Sequence, residues 1–503
     1  MQSKIATWTT DDSNRRIDRI LRLISTPTWL QEAIRITISS KGANTPGIDG
    51  LSKEDIKRDM NTIISMIREE LLAGTYEPQP VKRIYIPKSN GKTRPLGIPT
   101  LKDRIVQRAM LMAMDPIWES DFHAHSYGFR PQRSVHHAIR TLKFQLTDAG
   151  EYTKGRWVIE GDLSSYFDTV HHRLLMKGVR KRINDKRFLS LLWKFIKTGH
   201  IDKGVFNATH EGVPQGGVLS PLLANIMLHE FDLYLEKQYI GSKARKDRWY
   251  HNNSIQKGRS TAIKEQWQYQ PAVAYVRYAD DFVLVVKGTK SHAQKIKDEI
   301  EVVLRDRLKL TLNVDKSHIT HVNDGFTFLG HRIIRKRGKK GTMRPVSNIP
   351  YEKSKNFLHS LTKLLSGGYQ TNPVDMIEKL NQKLKGWGNF YQFIDFKSKV
   401  FQQINRVVFW KFAHWLARKY KSRIKPIMRK WYKISKRLAV KTWIVNHRDS
   451  SGNWREVTLE PLKSSNHKLG AYKLPVGNPY MTTTQGFALT SRYSDVAMAI
   501  SHV

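Results

Sequence analysis

Tyr278-Ala279-Asp280-Asp281 sits inside the run Ala274-Tyr275-Val276-Arg277-Tyr278-Ala279-Asp280-Asp281-Phe282-Val283-Leu284-Val285-Val286, and its reading decides the fold. Two adjacent carboxylates separate two apolar stretches rich in β-branched and aromatic residues. That is the pattern of a hairpin with a strand on either side and the acids at the turn. Burying the flanks holds two negative charges at one tip, where they repel and one pKa rises. A divalent cation removes the conflict, and Mg²⁺ held by one or two carboxylates plus substrate phosphates is the usual arrangement for phosphoryl transfer. Asp-Asp alone fits a solvated turn equally well, so a third acid in a matching context has to decide.

Trp157-Val158-Ile159-Glu160-Gly161-Asp162-Leu163-Ser164-Ser165-Tyr166-Phe167-Asp168 supplies it. Residues 157–159 read as a short strand with Asp162 at its end, and a polar turn leads into a helix-like segment containing His171 and Leu174. Beside the Asp280–Asp281 tip, Asp162 completes a site for two Mg²⁺ ions, a pair that activates an attacking hydroxyl and stabilises a leaving pyrophosphate oxygen. Phe167 follows closely enough for its ring to curl over an incoming sugar.

Tyr278-Ala279-Asp280-Asp281, preceded by Gly161-Asp162-Leu163-Ser164-Ser165-Tyr166-Phe167-Asp168, resembles the reverse transcriptases. In detail it looks most like the proteins encoded within group II introns, which combine reverse transcriptase and splicing maturase activities. The likeness runs as ordered blocks over residues 31–391 and more weakly to 480. It implies an α+β right-hand polymerase with helical and β-hairpin fingers, a ferredoxin-like palm and an α-helical thumb or maturase domain. The implied boundaries are a helical extension of the fingers at 1–75, fingers at 76–156, palm at 157–345, thumb at 346–445 and a DNA-binding-like region at 446–503. The catalytic and metal set it implies is Asp162, Asp280 and Asp281, with Leu163 beside them, holding two Mg²⁺ ions.

Composition agrees with a polyanionic partner. Among 503 residues, 86 Lys plus Arg stand against 44 Asp plus Glu, a net charge of +42. Neutralising phosphates with counterion release is the natural use of such charge, so affinity should fall steeply with salt. No apolar run of about 18 or more residues appears and no signal-peptide pattern opens the chain, which argues against a membrane. With no Cys there are no disulfides and no Cys-ligated zinc. The expected location is the bacterial cytoplasm, associated with the nucleoid, because an Arg/Ser-rich, acid-poor organellar leader is missing.

Residues 1–75 carry a helical apolar pattern at Ile17, Ile20, Leu21 and Ile24, broken by the Gly- and Pro-punctuated loop 42–50. The resemblance makes that loop part of the extension that borders template RNA. Residues 81–88 and 93–99 read as two strands joined by a Ser-Asn-Gly turn, with basic residues alternating along the hairpin. Alone, such a hairpin is a solvated edge that resists aggregation. The resemblance makes it the fingers hairpin over the nucleotide, with Lys88 and Arg94 on the triphosphate and Lys82 on nucleic acid. Arg suits that task because its guanidinium forks around phosphate oxygens. Tyr127 to Arg133 looks like the block bordering the template, with Arg130 and Arg133 as its contacts. His136 and His137 are adjacent on a helix and face different ways, which argues against a metal pair.

Pro214-Gln215-Gly216-Gly217 brings backbone close to a neighbour, and Ser220-Pro221 opens a helix. The resemblance puts this block under the nucleotide with Gln215 touching it, and Phe167 as the barrier to a 2′-hydroxyl. Residues 240–270, polar and without periodicity, read as an insertion between palm blocks that orders on RNA. Residues 291–308 are amphipathic, and 310–319 and 326–334 are strand-like. Lys316 and the turn Phe328-Leu329-Gly330 resemble blocks that hold the primer end. From 351 the pattern is helical, with Ile377, Leu380, Leu384 and Trp387 on one face. Between residues 396 and 448 there is no acid at all. There Arg406, Lys411, Arg418 and Lys419 are candidate RNA contacts, and Trp410, Phe412, Trp415, Tyr420, Trp431 and Tyr432 offer core and stacking surfaces. Many relatives continue after a motif like Asn478-Pro479-Tyr480 into a zinc-supported nuclease domain with paired Cys, so a Cys-free chain is expected to lack it.

The favoured expectation is an RNA-directed DNA polymerase and maturase. It would bind structured group II intron RNA, assist its splicing, and copy it with deoxynucleoside triphosphates during retrohoming into a DNA target. A non-catalytic RNA-binding splicing factor is the second class, and the intact acid set argues against it. A related reverse transcriptase recruited to phage defence is the third, and the maturase-like thumb argues against that.

Overall fold

The computed structural model describes residues 1–87, 91, 93–147, 156–241, 244, 272–338, 341, 343–448, 452–464, 469, 474 and 477–481. Lys88 and nearly all of the expected insertion at 240–270 lie outside the described residues. The chain divides into two compact units. One is Met1–Gln145, Ala149–His321 and Leu474–Val503, and the other is Leu146–Asp148 and Val322–Lys473.

The first unit opens with the helices Gln2–Asp11, Ile20–Ile24, Pro27–Ser39, Lys53–Arg58 and Met60–Ala73. Their buried positions, among them Ile20, Leu21 and Ile24, follow the apolar spacing of the sequence. Ser52 and Asp55 cap the fourth helix reciprocally. The loop at 42–50 is clamped by Arg104, whose guanidinium donates to Pro99 O at 2.8 Å, Gly42 O at 2.8 Å and Thr45 O at 2.7 Å. Strands β1 (Val81–Pro87) and β2 (Thr93–Ile98) form the expected basic hairpin, in register from Lys82 opposite Ile98 to Pro87 opposite Thr93. The helix Leu101–Glu119 then runs through the core with almost every side chain buried.

Strand β3 (Arg156–Gly161) is followed by the helices His172–Arg180 and Lys186–Lys197 and by the short strands β4 (His200–Asp202) and β5 (Val205–Asn207). These last two extend the fingers sheet in the order β2-β1-β4-β5. The helix Ser220–Leu235 carries its Pro in the first turn, where a missing N–H costs nothing. Then come β6 (Ala272–Tyr278), β7 (Asp281–Lys287), the helix Lys290–Leu308 and β8 (Ile319–His321). The sheet order is β6-β7-β3-β8 with every neighbour antiparallel, the split arrangement that a βαββαβ chain produces. Leu222, Ile226 and Phe231 of one helix and Ile296, Ile300 and Leu304 of another share a single core with Ile159, Leu284 and Val286 of the strands. Burying each such side chain contributes about 1.5–3 kcal/mol.

Residues 310–318 differ from the strand their pattern predicts. Only Leu312 makes a bridge, to Leu163, and the segment otherwise turns to bond the backbone of 162–164 through Ser164 N to Thr311 O and Asn313 N to Asp162 O. The partner edge of β3 is taken by β8 instead.

The second unit begins with β9 (Phe326–Phe328), β10 (His331–Arg337) and β11 (Met343–Asn348), a sheet ordered β11-β10-β9. The helices Tyr351–Leu364, Pro373–Phe390, Lys397–Lys419 and Ile424–Trp431 follow. They bury Ile377, Leu380, Leu384, Phe412 and Trp415 together, while Trp410 and Tyr420 remain exposed. The helical reading therefore holds as far as Trp431. Beyond it, Thr442-Trp443-Ile444-Val445 is dense in β-formers and builds β13 (Lys441–Arg448) between β12 (Tyr432–Ile434) and β14 (Trp454–Thr458). No helix among the described residues is long and apolar enough to cross a membrane.

Candidate active site

The β6–β7 hairpin closes with Tyr278 opposite Asp281, leaving Ala279 and Asp280 as its two-residue turn. Ala279 takes φ +59°, a left-handed conformation unusual for a residue with a Cβ. Two contacts hold it there. Arg277 Nη1 donates to Ala279 O at 3.0 Å, and Gly128 passes so close that a Cβ would lie 2.3 Å from Ala279 N. Asp162 arrives by register. Gly161 faces Phe282 across β3 and β7, so one step further along Asp162 stands opposite Asp281. A Cβ on Gly161 would fall 2.2 Å from the Phe282 ring, which is why glycine precedes the acid.

The three carboxylates interact strongly. Burial pushes Asp281 up to about 7, reinforced by the charge of Asp280 and by a hydrogen bond and charge from Asp162. Burial also raises Asp280, as does Asp162, while Arg94 and Lys316 pull it down. Lys316 Nζ donates to Asp162 Oδ2 at 2.7 Å, and Asn313 Nδ2 approaches the same oxygen at 3.3 Å. Among the described residues no three ligand side chains already close on one point as a finished metal cage. The chemistry of the donor set nonetheless fits a hard divalent cation: oxygen donors only, clustered, and lacking the positive charge that would let all ionise.

The burial of Asp281 beside two other acids has a measurable consequence. A carboxyl raised from 3.8 to about 7 contributes stability that is present below about pH 4 and lost as pH rises through 7. Asp281→Asn is therefore expected to raise the melting temperature of the metal-free protein at pH 8 by several degrees, at about 2–4 °C per kcal/mol for a domain of this size. The gain should shrink toward zero near pH 4. A melting series from pH 4 to 8 checks it, and a gain independent of pH would refute it.

The other expected residues fall into distinct places. Arg94 is exposed on β2, near enough to lower the Asp280 carboxyl, and Lys82 is exposed on β1. Phe167 is half-buried with its ring edge-on to Phe129 at 6.3 Å, and Leu163 is buried behind Asp162. Gln215 donates through Nε2 to Asp168 Oδ2 at 3.2 Å, while its backbone oxygen accepts from Gly97 N at 2.6 Å, tying this block to the fingers hairpin. Arg130 turns inward. It is buried, bidentate to Glu119 at 2.8 and 2.9 Å and bonded to His123 O and Ser126 O at 2.8 Å, so four of its five N–H donors are spent bracing the loop. Arg133 donates to Ala124 O at 2.7 Å and lies over the Tyr127 ring. In the second unit, Gly330 takes φ +75° in the β9–β10 turn. Arg406, Lys411 and Arg418 are exposed on one helix, and Lys419 is held by Tyr369 O at 2.9 Å.

Sequence reasoning passed over the group that supports the tip. Arg277 and Asp232 have fully buried side chains paired at 2.5 Å, with Tyr275 OH on the same carboxylate at 2.5 Å and Asn225 Oδ1 accepting from Arg277 at 2.9 Å. Burial works to raise Asp232, but the charge of Arg277 holds it below its ordinary value. A cation inside an apolar strand and an acid inside the apolar helix Ser220–Leu235 were the available signal.

A βαββαβ palm that gathers carboxylates at a hairpin tip, preceded by a basic hairpin, has the architecture of a polynucleotide polymerase. Residues 86–333 match the family described as reverse transcriptase (RNA-dependent DNA polymerase), and residues 354–432 match the group II intron maturase-specific domain. Protein YkfC of Escherichia coli (strain K12) is 68% identical over 365 residues, covering 73% of this chain and 96% of its own length. The group II intron-encoded protein LtrA of Lactococcus lactis subsp. cremoris is 35% identical over 357 residues, 64% of this chain and 57% of its own length. A putative COX1/OXI3 intron 2 protein of Saccharomyces cerevisiae is 30% identical over 339 residues, 63% of this chain and 39% of its own length. The alignments thus take in little more than half of LtrA and less than half of the yeast protein. The chain belongs to the group II intron reverse transcriptase and maturase family, an RNA-directed DNA polymerase fold joined to a splicing maturase domain.

Proposed function

We propose that this protein copies intron RNA into DNA at the Asp162–Asp280–Asp281 tip and assists splicing of the same RNA. The observation that carries the reading is the convergence of three carboxylates whose mutual repulsion asks for divalent cations. Two Mg²⁺ ions held by these acids would supply activation of a primer 3′-hydroxyl and charge stabilisation at the leaving pyrophosphate. Arg94, with Lys88, takes the triphosphate of a deoxynucleotide. Phe167 flanks the sugar and excludes a 2′-hydroxyl, and Gln215 fixes the floor below it. Lys316 holds Asp162 in place at the primer end, together with Asn313. The maturase role draws on the acid-free stretch 396–448, whose exposed Arg406, Lys411 and Arg418 meet phosphates without repulsion. Copying the intron RNA from a primer at a DNA target site would make the protein the engine of retrohoming, working in the bacterial cytoplasm close to the nucleoid.

RNA-templated primer extension with deoxynucleotides tests the reading, run beside binding of structured intron RNA over a salt series. Extension is expected, with affinity falling about 10³–10⁵-fold between 50 and 200 mM salt if six to ten phosphates are neutralised. Tight, salt-sensitive binding with no extension would leave a splicing factor without polymerase activity.

A further inference from the structure

Tyr480 OH donates to Asp115 Oδ2 at 2.6 Å, although the two are 365 positions apart. Asn478, 7% exposed, donates through Nδ2 to Pro116 O at 3.1 Å and contacts Ser120 Oγ at 3.0 Å. Its Oδ1 accepts from Tyr480 N at 3.0 Å, an Asx turn that aims both side chains at one place. These residues belong to the first unit even though the chain comes to them from the second.

The place is the end of the helix Leu101–Glu119, weakened by its internal Pro116. Proline has no N–H for the carbonyl one turn back. That carbonyl, Met112 O, accepts from Gln2 Nε2 at 2.8 Å instead, and Ser120 Oγ also meets Thr9 and Thr10 Oγ1 at 3.0 Å. Side chains from residues 2–10 and 478–480 together complete this helix end.

What hangs on that end is Glu119, which holds Arg130. Arg130 fixes the loop 123–134, and the loop fixes the catalytic hairpin. Tyr127 N donates to Arg277 O at 2.9 Å, Arg277 N donates to His125 O at 2.9 Å, and Asn225 Nδ2 holds Gly128 O at 2.8 Å just beneath Ala279. Asp115 lies one turn before Glu119, so two acids share a helix face and repel unless donors satisfy each. Burial pushes Asp115 up to about 6, an effect that its hydrogen bond from Tyr480 eases.

We propose that residues 478–480 form a strap, in which Tyr480 and Asn478 are positioning residues for the catalytic hairpin, acting through the end of the 101–119 helix and the Glu119–Arg130 pair. The catalytic half of this inference rests on the polymerase reading, and the structural half does not. In the full chain, Tyr480→Phe and Asn478→Ala should each lower the melting temperature by about 2–4 °C. Amide exchange should quicken over 112–134 and stay unchanged over His172–Arg180. Well below melting, primer-extension turnover should fall about three- to tenfold, with KM for the primer–template unchanged, in line with coupling through packed networks. In an Asp115→Ala background Tyr480→Phe should add nothing, because its acceptor is gone. Unchanged exchange over 112–134 in both variants would overturn the strap, and faster exchange with full turnover would overturn its positioning role. Were the parent chain to extend no primer, the polymerase reading would fall while exchange and melting still judged the strap.

Discussion

Replacing both Asp280 and Asp281 with Asn is expected to abolish RNA-templated primer extension, by at least about a thousandfold or about 4 kcal/mol of barrier, while intron RNA binding stays within about twofold. Asn keeps the size and shape of each side chain, so the hairpin turn, the Ala279 conformation and the β3–β7 register have no steric reason to change. What goes is the negative charge that a divalent cation would answer, and with it the stabilisation of charge developing on phosphate oxygens. RNA binding depends on a separate resource, the excess of 86 basic over 44 acidic residues, which the double variant raises slightly. The metal-free variant should also be no less stable than its parent, because burial and mutual repulsion raise Asp280 and Asp281. Loss of extension with a higher melting temperature therefore means lost chemistry, whereas loss with a lower one means lost fold. Extension retained within tenfold would remove these acids from the catalytic role.

The acid tip was legible because its signal is local. Asp280 and Asp281 sit next to each other between two apolar runs, and only a hairpin buries the runs while holding the acids at a turn. Asp162 was legible by context, since the strand that brings it opposite Asp281 is short, apolar and ends in the glycine that the Phe282 ring demands. The inward pairing of Arg130 was hidden for the opposite reason. Aromatic and basic residues in a loop resemble a nucleic-acid surface, and the acid that consumes Arg130 is Glu119, on the preceding helix and itself buried. Residues 310–318 alternate like a strand, yet β3 ends at Gly161, so past its pairing with β8 they meet the turn after β3 and find no strand to continue along. The strap at 478–480 left no trace in composition or periodicity, because a three-residue docking motif is defined by its distant receptor alone.

Arg277 yields the second large effect. Arg277→Met alone strands Asp232 as a buried carboxylate without its counter-ion, and breaking such a pair costs about 3–5 kcal/mol. The single variant should melt far below the parent and extend primers poorly at any temperature. Arg277→Met combined with Asp232→Leu, in a Tyr275→Phe background that removes the hydroxyl otherwise stranded by the loss of Asp232, removes both charges and fills similar volume, so stability should return to within a few degrees of the parent, as replacing buried ion pairs with apolar residues often allows. Activity should not return with it. The guanidinium also donates to Ala279 O and Asn225 Oδ1, at 3.0 and 2.9 Å, and no methionine can supply those bonds. Ala279 would then keep its left-handed conformation without the donor that fixes it, and the two acids beside it would wander from the geometry their chemistry requires. Turnover about ten- to a hundredfold below the parent, in a variant that melts like the parent, is the expected pairing. Melting curves and primer extension on the same preparations decide it. Were the apolar pair as active as the parent, the network would serve only to fold the palm, and the turn would be held by Gly128 and strand pairing alone.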